Sequence, residues 1–451
     1  GFNGVVTEDG RYLVIYVWHG TASENGVFLL DLEDPEADVV EVLAEFDAEY
    51  VAVGNEGTQF FFKTDHHAPQ HRLIALDLAH PEPDAWEELI PESEDKLEFL
   101  DYVGGRFIAT YLHHAAHQVR FFKTDGSIDG ELALPDLGTV IGFSGLSDDP
   151  ETFYKFSNFT TPGTVYHFNV ETRESAVFRA PDLDFDPEDY LTEQVFYRSK
   201  DGTRVPLFIS RRKNLEVGGD APTYLYGYGG FNNPLAVSFS VPNLVWMEMG
   251  GIFAQAQLRG GGEYGRNWHE AGMKHNKQNV FDDFIAAAEY LIEEGYTRTE
   301  KLVIGGRSNG GLLIGACMTQ RPDLFGVCLP NVGVMDMLRF HKFTIGWAWV
   351  SDYGSPENPE EFETLLAYSP YHNIREGVAY PPTMVMTGDH DDRVFPAHSF
   401  KFAAKLQQAQ AGDAPILIRI ETRAGHGAGK PTKKLIEEFS DMWTFALANM
   451  V

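Results

Sequence analysis

A repeat in the N-terminal part of the chain restricts the fold more than any other feature of the sequence. Four segments, VFLLDLED, HRLIALDLAH, VRFFKTDG and VYHFNVET, each consist of an apolar run followed by a short polar turn. When the segments are aligned, one position recurs every 46 residues and is occupied by Asp31, Asp77, Lys123 and Asn169. A unit of this length with several short strands is typical of a β-propeller blade, because one such sheet cannot bury both faces and must stack on its neighbours.

Further runs rich in Tyr, Phe, Val and Ile lie between the repeated segments. Turn pairs such as Asp9-Gly10 and Gly104-Gly105 bound them, as expected of short strands. They predict strands at 11–17, 58–63, 106–111 and 152–156. We therefore expect about four blades within residues 1–183. The first unit starts so abruptly that more blades are expected upstream, and a β-sandwich with accidental spacing is the alternative.

After residue 183 the pattern changes to strands that alternate with longer helical segments. This alternation is typical of an α/β domain with a mostly parallel, doubly wound sheet, which we expect over residues 184–451. The predicted strands are 194–197, 205–210, 223–226, 252–258, 302–305, 326–329, 383–387 and 416–421. The predicted helices include 281–294, one that begins at Pro396, and 432–447 with Leu435, Ile436, Phe439, Trp443 and Leu447 on one face.

The net charge limits the classes of partner. The chain has 35 Lys and Arg against 67 Asp and Glu, a formal charge of −32. We expect no nucleic-acid or membrane partner, because a cationic surface for phosphate groups is missing and no apolar run approaches roughly 18 residues. Cys317 and Cys328 lie in apolar sequence without metal-like spacing, which predicts small buried side chains. No metal site and no cofactor is expected.

The segment around Ser308 carries most of the chemical information. A buried-strand run enters Gly306-Arg307-Ser308-Asn309-Gly310 and leaves in an apolar helix. In this arrangement the serine lies on a tight turn that tolerates only small neighbours, and its hydroxyl is exposed above the sheet edge. The sequence therefore predicts Ser308 as a nucleophile. The backbone amide of Asn309, at the helix start, is expected to donate to a developing oxyanion.

A serine nucleophile needs a general base nearby. His426 follows a predicted strand and lies in the glycine-rich loop 424–429, from which a histidine can approach the serine. His398 is instead expected on a helix, as a surface or packing residue. The sequence therefore favours His426 as the base.

The base in turn needs an acid that orients it. The predicted strand 383–387 runs into Asp389, Asp391 and Asp392. All three lie at the carboxyl end of a parallel strand, where such sites form. Spacing alone leaves the choice among them open.

Five motifs together resemble the prolyl oligopeptidase family of serine peptidases. They are GRSNGGLL at 306–313, YGYGGF at 226–231, RGGGEYG at 259–265, GDHDDRV at 388–394 and GHGAGK at 425–430. The resemblance implies an α/β-hydrolase domain preceded by the propeller portion. It also implies Asp391 as the triad acid and Tyr228 as a second oxyanion donor. The implied activity is hydrolysis of short peptides after proline through an acyl-enzyme.

The resemblance also implies which residues select proline. Trp349 is expected to stack on the proline ring and Arg393 to bind a neighbouring peptide carbonyl. An aromatic slot suits proline because its ring is flat, apolar and without an N–H. Trp347 is assigned no role, and a core position for both tryptophans is the alternative. The remaining pocket residues would be Phe231, Val334, Tyr353 and Val394.

Two other functions stay open at this point. One is a related peptidase of different specificity, such as oligopeptidase B, a dipeptidyl peptidase or an acylaminoacyl peptidase. The other is a propeller-based binding protein with an inert hydrolase domain, against which the set Ser308, Asp391 and His426 argues. Family members carry a seven-bladed propeller and an N-terminal segment, so we expect an upstream part, cleaved, excised or present as a separate chain. The expected location is the cytoplasm, with the periplasm or secretion as alternatives.

Overall fold

The computed structural model describes residues 1–427 and 429–450, which form two compact units. The first unit contains Gly1–Phe185 together with the short segments Ala236–Phe239 and Glu263–Asn267. The second contains Asp186–Leu235, Ser240–Gly262 and the described residues from Trp268 onward.

Over the described residues, the first unit contains four antiparallel sheets of four strands, each in chain order. In each sheet, the third strand ends at one of the four repeated positions of the sequence, Asp31, Asp77, Lys123 and Asn169, so the predicted blades are confirmed. The strands are β1 (Phe2–Val6), β2 (Tyr12–Trp18), β3 (Asn25–Asp31), β4 (Val40–Leu43), β5 (Tyr50–Glu56), β6 (Gln59–Thr64), β7 (Arg72–Asp77), β8 (Glu87–Ile90), β9 (Lys96–Val103), β10 (Arg106–His113), β11 (Ala116–Lys123), β12 (Ile128–Leu132), β13 (Thr139–Gly142), β14 (Glu151–Ser157), β15 (Thr164–Asn169) and β16 (Ser175–Arg179).

Alternating side chains explain why these sheets stack. Successive residues of a strand point to opposite faces of its sheet. In β6, Phe60 and Phe62 pack with the first sheet, whereas Phe61 packs with the third. In β10, Phe107 packs toward the second sheet and Ile108 toward the fourth. The two inner sheets are therefore apolar on both faces, and each contributes to two cores.

The second unit is built on an eight-stranded sheet of order β17-β18-β20-β19-β21-β22-β23-β24. The pairings of β18 with β17 and with β20 are antiparallel, and the remaining pairings are parallel. This agrees with the mostly parallel sheet expected from the sequence. The strands are β17 (Tyr190–Arg198), β18 (Arg204–Arg212), β19 (Thr223–Tyr226), β20 (Ile252–Ala256), β21 (Leu302–Arg307), β22 (Val327–Asn331), β23 (Thr383–Gly388) and β24 (Ile416–Glu421).

The helices of the described residues follow the same alternation. The α-helices are α1 (Val241–Glu248), α2 (Gly265–Glu270), α3 (Gln278–Glu293), α4 (Asn309–Gln320), α5 (Val350–Tyr353), α6 (Pro359–Tyr368), α7 (Pro370–Asn373), α8 (Ala397–Ala409) and α9 (Thr432–Asn449). The 3-10 helices are Pro83–Ala85, Pro187–Asp189, Lys274–Asn276, Thr299–Lys301, Phe340–Lys342 and Gly346–Trp349. Within the part of the chain that the structure covers, no helix is both long and apolar enough to cross a bilayer.

The predicted apolar face of α9 is partly wrong. Trp443 is buried as expected, but Leu435, Ile436 and Leu447 are exposed. The helix instead turns Glu438 inward together with its apolar neighbours. The carboxylate of Glu438 has polar partners there, so its burial is compensated and the hydrophobic pattern alone does not set the rotation of the helix. By contrast, Cys317 and Cys328 are buried, as predicted, and both are free cysteines.

Candidate active site

Ser308 lies on the turn between β21 and α4. Its backbone has φ 59° and ψ −116°, a region that costs a non-glycine residue about 1–3 kcal/mol. Two hydrogen bonds stabilise this conformation: Ser308 N donates to the Asn331 carbonyl at 2.9 Å, and the Ser308 carbonyl accepts from Leu312 N at 3.1 Å. A Cβ on Gly306 would lie 2.3 Å from the Gly310 carbonyl oxygen. The turn can therefore be this tight only with glycine at 306.

His426 lies in the loop between β24 and α9. Its Nδ1 donates to Oδ2 of Asp391 at 2.7 Å. The His426 carbonyl accepts a hydrogen bond from the Arg307 guanidinium, next to Ser308 in the chain. With Nδ1 engaged by the carboxylate, Nε2 is the ring nitrogen that can take a proton from a nucleophile.

Of the three aspartates left open by spacing, the structure brings Asp391 to His426. Asp391 is buried, with 2% exposure. Its Oδ1 accepts the backbone N–H groups of Arg393 at 3.0 Å and Val394 at 2.9 Å. Asp389 instead lies 2.6 Å from the His390 ring, and Asp392 is exposed. Only Asp391 therefore combines a fixed carboxylate with a contact to the imidazole.

Tyr228 lies in the loop that follows β19. Burial raises the pKa of its hydroxyl, and the nearby charge of Asp352 adds to the rise. The phenol therefore keeps its proton at neutral pH and can donate it in a hydrogen bond. The Asn309 side-chain Nδ2 donates to the Tyr228 carbonyl at 2.6 Å. This bond connects the tyrosine loop to the first residue of α4.

The aromatic residues assigned to the pocket form a contiguous group. Phe231 packs edge to face on Tyr353 with ring centroids 5.2 Å apart. Trp349 approaches the same tyrosine at 6.5 Å and stacks on Phe340 at 6.4 Å with an interplanar angle of 11°. These rings provide the flat apolar surfaces that a pyrrolidine ring can contact.

The other predicted pocket residues differ in exposure. Val334 and Val394 are buried in the same apolar cluster as Trp349. Arg393 is exposed, and its charge opposes the rise in the pKa of Tyr228 that burial causes. Trp347 is 62% exposed and lies outside the cluster. Of these two tryptophans, only Trp349 therefore belongs to the buried cluster.

Three buried charged residues beside the site were missed by sequence reasoning: Lys277, Asp352 and Glu438. Glu438 Oε1 accepts from Asn331 Nδ2 at 3.0 Å, and its Oε2 pairs with Lys430. It thus connects the histidine loop to the end of β22. The sequence carries only a weak signal that these residues are buried. Asp352 is the one acidic residue in the apolar run IGWAWVSDYG. Lys277 precedes an amphipathic helix and Glu438 lies on one, where charged residues are ordinarily exposed. Among described residues, no group of His, Cys, Asp or Glu is arranged to hold a metal ion.

Comparison with known proteins gives a consistent result for both units. Residues 237–450 match the model of the prolyl oligopeptidase family, and residues 2–181 match that of the prolyl oligopeptidase N-terminal β-propeller domain. A prolyl endopeptidase of Elizabethkingia miricola is 47% identical over 449 residues, covering 99% of this chain and 63% of the relative. A prolyl endopeptidase of Dictyostelium discoideum is 44% identical over 90% of this chain and 56% of its own length.

Solved structures agree. A prolyl endopeptidase structure superposes with a TM-score of 0.96 at 43% identity, over 100% of this chain and 66% of the other. Prolyl oligopeptidase B of Galerina marginata, bound to a 35-residue substrate, gives a TM-score of 0.95 at 36% identity over 65% of its chain. The chain thus spans less than two thirds of the length of these relatives.

Proposed function

Because the chain belongs to the prolyl oligopeptidase family, we propose that it is a serine peptidase that hydrolyses short peptides on the carboxyl side of proline. The observation that carries the proposal is the hydrogen bond between His426 and the buried carboxylate of Asp391. That bond supplies the oriented imidazole that a serine hydroxyl on a strained turn requires. Residues 1–183 would form the propeller portion and 184–451 the catalytic domain, in a cytoplasmic protein, which two unpaired cysteines support.

The proposed reaction has two halves. Ser308 Oγ attacks the peptide carbonyl while His426 Nε2 takes its proton, and Asp391 stabilises the resulting imidazolium. The Asn309 backbone N–H and the Tyr228 hydroxyl donate to the oxyanion of the tetrahedral intermediate. The C–N bond then breaks, His426 returns its proton to the leaving amine, and an acyl-enzyme remains. Water attacks this ester with His426 as the base and restores the serine.

Specificity would come from the aromatic group beside the nucleophile. A proline ring can stack on Trp349 with Phe231 and Tyr353 at its edges, without any unmet hydrogen bond, since proline has no N–H. A charged arginine in the same slot would lose its hydration among the apolar rings, which is costly. Arg393 would donate to a carbonyl of the bound peptide.

The test is steady-state hydrolysis of reporter peptides that carry Pro, Ala or Arg before the scissile bond. We expect cleavage after Pro to dominate, and Ser308→Ala to lower kcat by at least about 10⁴-fold. Ser127→Ala, at an exposed serine of the first unit, is the matched control and should behave as the wild type. Faster cleavage after Arg would favour an oligopeptidase B-like enzyme. Failure of a fluorophosphonate to label Ser308 would favour an inert binding protein.

A further inference from the structure

Lys277 is a lysine that the chemistry described above does not use, yet it is almost completely buried. It precedes α3, where a lysine is usually solvated, but its side chain is 1% exposed. Burial lowers its pKa, and the neighbouring Asp352 opposes that effect. Burying an ammonium group is costly unless it is paired and hydrogen-bonded. The hydrogen bonds that Lys277 makes therefore indicate its role in the structure.

The ammonium group bridges the two segments that carry the proposed oxyanion donors. Its Nζ donates to the carbonyl of Gly229 at 2.9 Å and to Oδ1 of Asn309 at 3.3 Å. Gly229 directly follows Tyr228, and Asn309 directly follows Ser308. One bond of Lys277 therefore fixes the residue that follows Tyr228, and the other fixes Asn309 itself.

Asp352 extends this contact to the pocket. One of its oxygens, Oδ1, lies 3.8 Å from Lys277 Nζ. The other, Oδ2, accepts from Phe231 N at 2.9 Å and from His269 Nε2 at 2.8 Å. Because Phe231 belongs to the same loop as Tyr228, the lysine and the aspartate hold both ends of the segment 228–231.

That segment needs such support, because its backbone is strained. Phe231 has a φ of 60°, and Asn232, which follows it, has a φ of 53°. A positive φ is tolerated by asparagine, but a bulky residue such as Phe231 adopts it only when its surroundings impose it. A Cβ on Gly229 would lie 2.4 Å from the Val280 side chain, so the loop also packs closely on α3. External hydrogen bonds must offset the strain to keep one conformation.

We propose that Lys277, together with Asp352, is a positioning residue that sets the distance between the Tyr228 hydroxyl and the Asn309 amide, the two donors to the oxyanion. This inference rests on the proposed function. Lys277 touches no substrate, so its contribution is exerted through Tyr228 and Asn309. This contribution acts in the transition state, where negative charge develops on the carbonyl oxygen, more than in substrate binding.

The expected kinetic effect follows from that assignment. Lys277→Met keeps the length and apolar stem of the side chain and removes both hydrogen bonds. We expect kcat to fall by about 10- to 100-fold, less than for loss of a direct oxyanion donor, with KM changed by less than about threefold. Affinity for a peptidyl-prolyl aldehyde, which binds as a tetrahedral adduct, should fall by a similar factor as kcat.

The decisive comparison is made in two backgrounds, with the concentration of active enzyme titrated by a fluorophosphonate. If Lys277 acts through Tyr228, Lys277→Met should lower kcat much less in Tyr228→Phe than in the wild type. A residue that only stabilises the fold would give the same fold-change in both. Lys433→Met is the control, because Lys433 is 87% exposed and should leave all values unchanged.

Each outcome decides. A wild-type kcat in Lys277→Met, or equal losses in both backgrounds, overturns the inference while leaving the proposed function intact. Lack of any Ser308-dependent hydrolysis by the wild type refutes the proposed function instead. If Lys277→Met does not fold, Lys277→Met/Asp352→Asn, which removes both buried charges, is judged by the same criteria. Loss of folding in both variants would make Lys277 a structural residue and reject the positioning role.

Discussion

The turn that carries Ser308 gives a prediction whose size can be worked from the structure. In Gly306→Ala, the new Cβ would lie 2.3 Å from the carbonyl oxygen of Gly310 and 2.6 Å from its carbon. Ordinary van der Waals contacts of a Cβ begin at 3.4 Å, so the first turn of α4 must move by about 1 Å in this closely packed region. Gly306 does not have a positive φ, so alanine is compatible with its backbone and the effect is steric.

Ser308 lies between the two glycines and moves with them. A misplacement of about 1 Å costs about 10²-fold in rate, which is about 2.7 kcal/mol of transition-state stabilisation. We therefore expect kcat/KM of Gly306→Ala on a proline reporter peptide to fall about 100-fold. Overpacking should also lower the free energy of unfolding by about 1–3 kcal/mol.

The assay combines steady-state kinetics with urea unfolding, with rates corrected for the folded fraction. Gly218→Ala is the matched control. A Cβ there meets nothing within 4 Å and the backbone is not left-handed, so activity should be unchanged and stability equal or higher by about 0.4–1 kcal/mol. A Gly306→Ala enzyme within threefold of the wild type would show that the turn does not depend on this contact.

Three further predictions concern buried polar groups. Asp391→Asn should lower kcat by about 10³- to 10⁴-fold with little change in folding, because an amide stabilises the wrong imidazole tautomer; reporter hydrolysis and circular dichroism measure this. Asp283→Ala should cost about 3–5 kcal/mol in urea unfolding, since Asp283 is completely buried and bonds Arg259 at 2.6 Å, and a loss below 1 kcal/mol would contradict that. Burial lowers the pKa of His398 to about 4 in the folded protein, whereas its imidazole in the unfolded chain is protonated near pH 6.5. The stability that is present above pH 6.5 is therefore lost as the pH falls toward 4. Between pH 7 and pH 5 the wild type should lose about 2 kcal/mol from this group, a loss absent in His398→Asn but retained in His390→Asn, whose side chain is 72% exposed.

Features encoded locally were predictable from the sequence. The strands at 223–226 and 416–421 coincide with β19 and β24, because their apolar runs are bounded by clear turn residues. The 46-residue repeat predicted the blades because each blade must present the same apolar pattern to its neighbours. The turn at Ser308 could be located for a similar reason: strand, glycines and helix are contiguous in the chain.

Features that depend on distant residues were not predictable in this way. Asp389, Asp391 and Asp392 follow one strand, and only the folded loop determines which carboxylate reaches His426. The family resemblance, rather than spacing, pointed to Asp391. Lys277 appears in the sequence as an ordinary polar residue before an amphipathic helix. Its burial depends on acceptors that come from other loops far along the chain.

The contact between Arg307 and the His426 carbonyl connects the segment that carries the proposed nucleophile to the loop that carries the proposed base. Arg307, which precedes Ser308, donates a hydrogen bond to the backbone of the loop that carries the imidazole. Neither segment can therefore move alone without breaking a charge-assisted hydrogen bond. Movement of the loop away from Ser308 would therefore have to break this bond, so replacement of Arg307 would loosen the attachment of the imidazole without removing a group that reacts.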